Sequence, residues 1–338
     1  MIKMKKITLV LLFIPALFSC ETLFFEKDME SRNPKENFEY LWKECNEKYA
    51  YMSYKQINWN QVHDEYAAKI YDGMSDDSLF SVLGNMLNKL RDGHVNLKSK
   101  FNVSHYNIQK LGPENFNFRL IEDHYLPDDY YVSGPFIHDF ISNNKVGYIR
   151  LSSFPGTISN DNLDFVLARY ANTQGIILDL RENGGGATSD VFDLIGHFVT
   201  AKTHLYDSRL KSGAGYNDFK ETEAGYAEPR GKSRYLKKIM LLTDRGTFSA
   251  GSFTTLAMKE LPNVTVLGDT TGGGLGLPNG GQLPNGWIYR FSITQTLDLA
   301  GNNYESGVPP DIRVILNNED RSRGVDTVIE RALAEIYK

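Results

Sequence analysis

The stretch that decides the fold reads Ile176-Ile177-Leu178-Asp179-Leu180-Arg181-Glu182-Asn183-Gly184-Gly185-Gly186. Its apolar first part, bounded by turn residues, predicts a buried strand. The three glycines then let the backbone turn sharply and approach a ligand closely. Exposed N–H groups in such a turn can stabilise the negative oxygen that develops when a carbonyl is attacked, with roughly 3–4 kcal/mol per donor in known cases. Taken alone, the stretch fits an oxyanion hole or a plain surface turn.

A glycine-rich turn after a strand is also typical of phosphate binding. The two common nucleotide fingerprints are absent, since no Gly-Lys-Ser/Thr follows the turn and no Gly-x-Gly-x-x-Gly opens a helix there. The turn therefore favours chemistry at a carbonyl over nucleotide binding.

A second apolar run, residues 238–244, predicts another strand, with Ser249 just beyond its end and a helix from about 251 to 260. A serine at such a strand-to-helix turn presents its hydroxyl at the sheet edge, where the N–H of Ala250 would supply an oxyanion donor. The spacing differs from the Gly-x-Ser-x-Gly elbow of α/β-hydrolases. Taken alone, Ser249 is more typical of a helix cap, because serine is a preferred capping residue.

A nucleophilic serine needs a base, and the chain contains seven histidines. His94 lies in Leu90-Arg91-Asp92-Gly93-His94-Val95-Asn96-Leu97, where an amphipathic helix is predicted to end at a glycine and an extended segment to begin. The other six are interpreted as structural or solvated; they are His63, His105, His124, His138, His197 and His204.

These segments resemble a known family of serine peptidases. It contains the C-terminal processing proteases, the tricorn protease core and the interphotoreceptor retinoid-binding protein repeats. The resemblance covers most of the mature chain and implies an α/β, crotonase-like (ClpP/crotonase-type) catalytic domain. It rests on five ordered motifs, which are Asp92-Gly93-His94, Asp179 to Gly186, Ser249-Ala250-Gly251, Gly268-Asp269-Thr270-Thr271-Gly272-Gly273, and Gly307-Val308-Pro309-Pro310-Asp311-Ile312.

The resemblance also implies the catalytic residues. The processing proteases use a Ser–Lys dyad, but Gly274 stands at the lysine position, twenty-five residues after Ser249. The tricorn-like branch uses serine, histidine and glutamate, which match Ser249 as nucleophile, His94 as general base and Glu305 as the group that orients the imidazolium.

The oxyanion hole is assigned to the N–H groups of Gly184, Gly185 and Ala250. Two alternatives stay open around the base. The tricorn core has a serine directly before its histidine, where this chain has Gly93, so Glu305 must act on His94 directly, through water, or be replaced by another group. A solvated loop carboxylate is an equally plausible interpretation of Glu305.

The N-terminus resembles a bacterial lipoprotein leader. Residues 1–6 are basic, and a short apolar run over 7–18 fits a secretory signal better than a membrane span. Leu17-Phe18-Ser19-Cys20 then resembles a lipobox, so residues 1–20 are predicted to be a signal peptide with Cys20 as the lipidated residue. An ordinary signal with an incidental cysteine is the alternative. The prediction places the protein on a bacterial membrane in the cell envelope, periplasmic or surface exposed.

The remaining chain is long enough for about two domains. Residues 21–33 are predicted to be a linker, 34–97 an N-terminal helical bundle, 98–145 a connecting segment and 146–338 the catalytic domain. Within the resembled family, processing proteases place a PDZ domain between bundle and core. The connecting segment is too short for one, so no PDZ domain is expected.

The composition of the chain limits the classes of ligand and partner that it is expected to bind. The formal net charge of −5 gives no reason to expect nucleic acid, and the sequence has no Cys/His or His-Glu-x-x-His cluster for a metal and no sign of another cofactor. Three functions from different classes remain: an envelope-anchored serine peptidase acting on peptides or unfolded proteins, an inactive module binding a peptide or lipid ligand on the same fold, and a crotonase-like thioester enzyme. An exported location disfavours the third.

Overall fold

The computed structural model describes residues 30–108 and 111–338. The predicted leader and Cys20 lie outside these residues. Within the described part of the chain, no helix has the length and apolar character needed to cross a membrane. The same residues place no group of three or more His, Cys, Asp or Glu side chains where they could hold a metal ion.

An N-terminal layer of three helices begins the described chain. The side chain before each helix accepts backbone N–H groups of its first turn, as the predicted cap Ser75 does from Ser78 at 3.2 Å. The apolar faces of the helices share one buried core. The helices are α1 (Pro34–Lys48), α2 (Trp59–Ala67) and α3 (Asp76–Asn88).

The centre of the molecule is a seven-stranded mixed sheet in the order β13-β9-β8-β5-β4-β3-β2. Its strands from β13 to β4 are parallel to their neighbours, and β3 and β2 are antiparallel. The strands are β2 (Tyr131–Ser133), β3 (Phe136–Ile141), β4 (Val146–Leu151), β5 (Gly175–Asp179), β8 (Lys238–Thr243), β9 (Val264–Gly268) and β13 (Ile312–Arg313).

This sheet explains why two distant sequence motifs meet. Strands β5 and β8 are parallel neighbours, with Asp179 paired to Leu242 at their carboxyl ends. The turns that follow the two strands therefore leave the same edge of the sheet. One turn carries the three glycines and the other carries Ser249, as the sequence pattern predicted.

The segment 98–145 contributes to the same sheet. It holds α4 (Phe118–His124) and the strands β2 and β3, and β3 pairs along its length with β4. The domain boundary that the sequence suggested at residue 146 thus falls between two paired strands. The described residues of this segment form no separate PDZ domain.

A small sheet in the order β1-β11-β10 joins the helical layer to the catalytic part. Strand β1 (Asn96–Lys98) begins two residues after His94 and pairs with β11 (Ile288–Ser292), which forms a hairpin with β10 (Pro278–Gln282). The hairpin residue Trp287 packs edge-on against Phe80 and Phe101 and belongs to the helical core. The hairpin therefore fixes the polypeptide that carries His94.

A third sheet and five further helices complete the described part of the chain. A third sheet has the order β12-β6-β7, and its strands are β6 (Thr203–Leu210), β7 (Glu223–Ala227) and β12 (Thr294–Leu297). The helices are α5 (Asn160–Arg169), α6 (Thr188–Ile195), α7 (Ala250–Met258), α8 (Asn318–Ser322) and α9 (Thr327–Ile336).

Candidate active site

Ser249 and His94, which are 155 positions apart, form a hydrogen-bonded pair. The Oγ of Ser249 lies 2.8 Å from Nε2 of His94. Ser249 occupies the N-cap position of α7, but its side chain makes no capping bond. Its backbone has φ 55° and ψ −121°, a conformation that non-glycine residues rarely adopt and that is found at functional sites. The Ser249 side chain thus bonds His94 instead of capping the helix, which is the geometry that a nucleophilic serine requires.

One side chain, that of Asp244, and the backbone carbonyl of Asn183 hold the turns around Ser249. The Asp244 carboxylate accepts the N–H groups of Glu182, Gly246 and Thr247 at 2.8–3.0 Å, which ties the turn after β5 to the turn after β8. The Asn183 carbonyl accepts the Phe248 N–H at 2.8 Å. The position of Ser249 is therefore fixed by the glycine turn itself.

The glycine turn packs directly on the nucleophile. A Cβ on Gly185, which has φ +95°, would lie only 2.7 Å from the Cβ of Ser249 and 2.8 Å from the Ala250 nitrogen. Only glycine permits this approach. The Gly185 N–H donates to Asn183 Oδ1 at 2.9 Å, so it is already engaged. The N–H groups of Gly184 and Ala250 have no acceptor among the described residues, which leaves them available as donors.

Glu305 is buried, so it is not the solvated loop carboxylate that the sequence left open. Its Oε2 accepts the N–H groups of Leu275 and Gly276 at 2.7 and 3.1 Å. Burial and the nearby Asp92 carboxylate raise the pKa of Glu305 to about 8. Glu305 is therefore mostly protonated at neutral pH.

Glu305 makes no direct hydrogen bond with His94. The Nδ1 of His94, the Oε1 of Glu305 and the hydroxyl of Tyr51 are all buried and lack a hydrogen-bond partner among the described residues. Gly276 is a shared neighbour, since its N–H bonds Glu305 and a Cβ there would lie 2.6 Å from the Tyr51 ring. The Gly276 carbonyl also acts on His94 by raising its pKa, although burial lowers that pKa overall.

Asp92 is a component of the site that sequence reasoning did not select. Its Oδ1 accepts the backbone N–H of His94 at 2.8 Å, and its Oδ2 accepts the Tyr49 hydroxyl at 2.7 Å and lies 3.5 Å from the Lys55 ammonium. Burial alone would raise the pKa of Asp92, but Lys55, His94 and the Tyr49 hydroxyl together hold it below its usual value. The sequence feature that could have identified Asp92 as part of the site is its place in the Asp-Gly-His motif.

One aromatic ring accounts for both departures from the resembled motifs. A Cβ on Gly93 would lie 2.7 Å from the Phe248 ring, and a Cβ on Gly274, which has φ +72°, would lie 2.4 Å from that ring and 3.2 Å from Cε1 of His94. The Phe248 ring packs against the imidazole with centroids 4.8 Å apart. Phe248 and His94 thus fill the space that side chains at positions 93 and 274 would need.

The sequence profile of peptidase family S41 matches residues 145–314, and the profile of the tricorn protease C1 domain matches residues 31–88. A solved putative peptidase from Parabacteroides merdae is 35% identical, with a TM-score of 0.87 over 91% of this chain and 98% of the other. The chain belongs to peptidase family S41. This membership indicates a serine peptidase.

More distant relatives agree with this assignment. The carboxy-terminal processing protease CtpB of Bacillus subtilis is 25% identical over 201 residues, which are 53% of this chain and 40% of the relative. The chain thus matches well under half the length of this curated relative. The structure of mature CPAF shares the fold, with a TM-score of 0.69 and 12% identity over 90% of this chain and 97% of that one.

The packing of Phe248 predicts the effect of restoring a serine before the histidine. Gly93→Ser should lower peptidase kcat/KM at least about tenfold, because its Cβ displaces the ring that supports His94. Gly93 has an ordinary φ, so the ring is the main obstacle. Gly93→Ser combined with Phe248→Leu should be more active than Gly93→Ser alone, as a double-mutant cycle would measure. Equal activity of the single and double variants would contradict this explanation.

Proposed function

We propose that this chain is an active serine peptidase that cleaves peptides or unfolded proteins by acyl transfer. The observation that carries the proposal is the 2.8 Å contact between Ser249 Oγ and His94 Nε2 at a strained backbone turn. A nucleophile within hydrogen-bond distance of its base is the geometric signature of nucleophilic catalysis. An inactive binding module would have no need for this pairing.

In the proposed mechanism, Ser249 Oγ attacks the scissile carbonyl carbon while His94 Nε2 accepts the hydroxyl proton. The N–H of Ala250 and an N–H of the glycine turn stabilise the resulting oxyanion. His94 then gives the proton to the leaving amine as the C–N bond breaks, which leaves an acyl ester on Ser249. A water, activated by His94 in the same way, hydrolyses the ester and releases the second product.

Glu305 is proposed to act on His94 through one buried water. Buried polar atoms are almost always hydrogen-bonded, and one buried water typically joins about three of them. His94, Glu305 and Tyr51 each have one buried polar atom without a well-formed hydrogen bond among the described residues. They share one neighbourhood, because Glu305 acts on the Tyr51 hydroxyl and Gly276 interacts with both Glu305 and His94. In this arrangement an ionised Glu305 stabilises the imidazolium, and the Tyr51 hydroxyl helps to hold the water.

Covalent labelling tests the nucleophile and its base. A fluorophosphonate should form a single adduct on Ser249 of the wild-type protein, detected by intact-mass and peptide mass spectrometry. Ser249→Ala should give no adduct, and His94→Ala should lose labelling by roughly 10³-fold or more, because the serine loses its base. His63→Ala, which alters a histidine on the helical layer, is the control and should label normally. Folded wild-type protein that gives no adduct would favour the binding-module alternative.

The pH dependence of kcat/KM tests the role of Glu305. His94 is a base only when neutral, and its lowered pKa predicts an acid limb below about 6.5. Because the pKa of Glu305 is raised to about 8, its ionisation should increase kcat/KM a second time near that pH. Glu305→Gln should keep the acid limb and lose the second increase. A step near pH 8 that persists in Glu305→Gln would assign that step to another group.

We also propose that the protein is attached to a bacterial membrane through an acylated Cys20, supported by the basic start, the apolar run and the Ser19-Cys20 junction. The mature protein should begin at Cys20, carry an acyl mass and sediment with membranes. Cys20→Ser should instead be found in the soluble fraction. A mature N-terminus at another residue, without acyl mass, would overturn the proposal.

A further inference from the structure

A cavity of about 450 Å³ adjoins the catalytic pair without including either member. Its walls contain Gly93 and Phe248, which directly precede His94 and Ser249 in the chain. Gly274 and Glu305 complete the wall on this side. A substrate bound across Ser249 therefore passes within about one residue of the cavity.

One part of the cavity is apolar. Tyr54 and Leu111 are exposed at its mouth, and Tyr106, Ile108 and Phe248 line it further. Apolar walls with a few placed polar groups are the usual construction of a specificity pocket. Such walls also strengthen the interaction between any charges they enclose, because they exclude water.

The charged groups of the cavity are unbalanced. Lys55 is paired with Asp92, but Arg91 and Arg245 form no ion pair with any carboxylate in the described part of the chain. Glu305 adds no full negative charge at neutral pH, since its pKa is raised to about 8. Two guanidinium groups thus line the cavity without an ion-pair partner among the described residues, and only the Asp269 carboxylate acts on Arg245 from a longer distance.

Arg245 is held in place with part of its guanidinium unused. Its Nη1 donates to the carbonyls of Thr271 and Ser306 at 2.9 and 3.0 Å, and its Nε is buried without a hydrogen-bond partner among the described residues. Arg91 is anchored by one bond from Nη2 to the Lys55 carbonyl at 3.0 Å. Both arginines therefore retain N–H donors, and a guanidinium fork matches a carboxylate in shape and charge.

We propose that this cavity is a substrate subsite that binds a peptide carboxylate close to the scissile bond. The carboxylate belongs either to an acidic side chain or to the free C-terminus of the substrate. This inference rests on the proposed peptidase function, because it names the substrate class of the same site. Arg91 and Arg245 act as specificity determinants, and the apolar wall contacts the stem of the bound residue.

Binding to Ser249→Ala protein tests the subsite without requiring turnover. Calorimetry would measure the binding of hexapeptides of mixed sequence, each made in four versions. The C-terminus is either a free acid or an amide, and one internal position is either Glu or Gln. That internal position is moved along the peptide from one set to the next. A carboxylate should tighten binding by about 10- to 100-fold, the range for charge-assisted hydrogen bonds. The terminal acid and the internal Glu are the two sources that these arms distinguish.

Variants then assign the effect to the arginines. Arg91→Gln and Arg245→Gln, each in the Ser249→Ala background, should reduce the preference for acid over amide or for Glu over Gln, measured as the ratio of the two Kd values within each variant. Arg119→Gln, which removes an arginine that is 82% exposed on α4, is the matched control and should keep the full preference. Circular dichroism would confirm that the Arg245 variant is folded, and the Arg91 variant carries the test if it is not.

The outcomes separate the two proposals. Ser249 labelling together with equal binding of charged and neutral peptides at every position would overturn the subsite and leave the peptidase standing. A carboxylate preference that Arg91→Gln and Arg245→Gln do not change would also overturn it. A preference that depends on these arginines, in a protein that fails to label at Ser249, would support the subsite and overturn the catalytic proposal.

Discussion

The buried guanidinium of Arg181 is the interaction on which the site's architecture depends. It donates to Asp179 at 2.6 Å and to Asp326 at 3.0 Å, and it also reaches the carbonyl of Asn115 at 3.1 Å. Asp326 in turn caps α9, so one side chain connects the end of β5, the segment before β2 and the C-terminal helix. Its own backbone enters the glycine turn. Removing one partner from a buried ion network typically costs about 3–5 kcal/mol, because the remaining charges lose their compensation. The oxyanion turn is thus built on a support that tolerates little change.

The carboxyl groups of Asp92 and Glu305 both lie near His94, and their different surroundings give them different charges at neutral pH. Asp92 has a cation and a hydroxyl as partners, which keep it ionised and fix the backbone of His94. Glu305 is buried with two N–H donors and lies in the field of Asp92, so it holds its proton up to about pH 8. Two full negative charges in this buried volume would repel each other. At neutral pH Asp92 is therefore the one of these two carboxyl groups that is charged near His94. One negative charge does not hold His94 permanently as an imidazolium, and it still lets the imidazole accept a proton.

Much of the site followed from the sequence because its motifs are local. The strand and three glycines, and the strand followed by Ser249, are short patterns whose parallel pairing brings their ends together. The contribution of residues 131–141 to the sheet was missed, because strands β2 and β3 are short and follow an irregular aromatic-rich stretch. The hairpin around Trp287 packs into the helical core, and no local pattern could predict this, since burial of its aromatic face is decided by tertiary contacts. The charge of Asp92 likewise depends on Lys55, which no local pattern links to it.

The Phe248 ring restricts which side chains can lie beside Ser249. In a Ser–Lys dyad the lysine would stand at position 274, where this chain has a glycine with φ +72° and the Phe248 ring 2.4 Å from the site of a Cβ. The same ring supports the imidazole of His94 from the side. The aromatic residue before Ser249 therefore requires a glycine at position 274, because its ring occupies the place of a Cβ there. A lysine in that place would need a different backbone conformation at 274 and a smaller residue at 248, and it would then compete with His94 for the same approach to Ser249. The absence of a lysine at position 274 is thus accounted for by the packing of Phe248 against Gly274 and His94, and it does not by itself argue against the proposed Ser249–His94 pair.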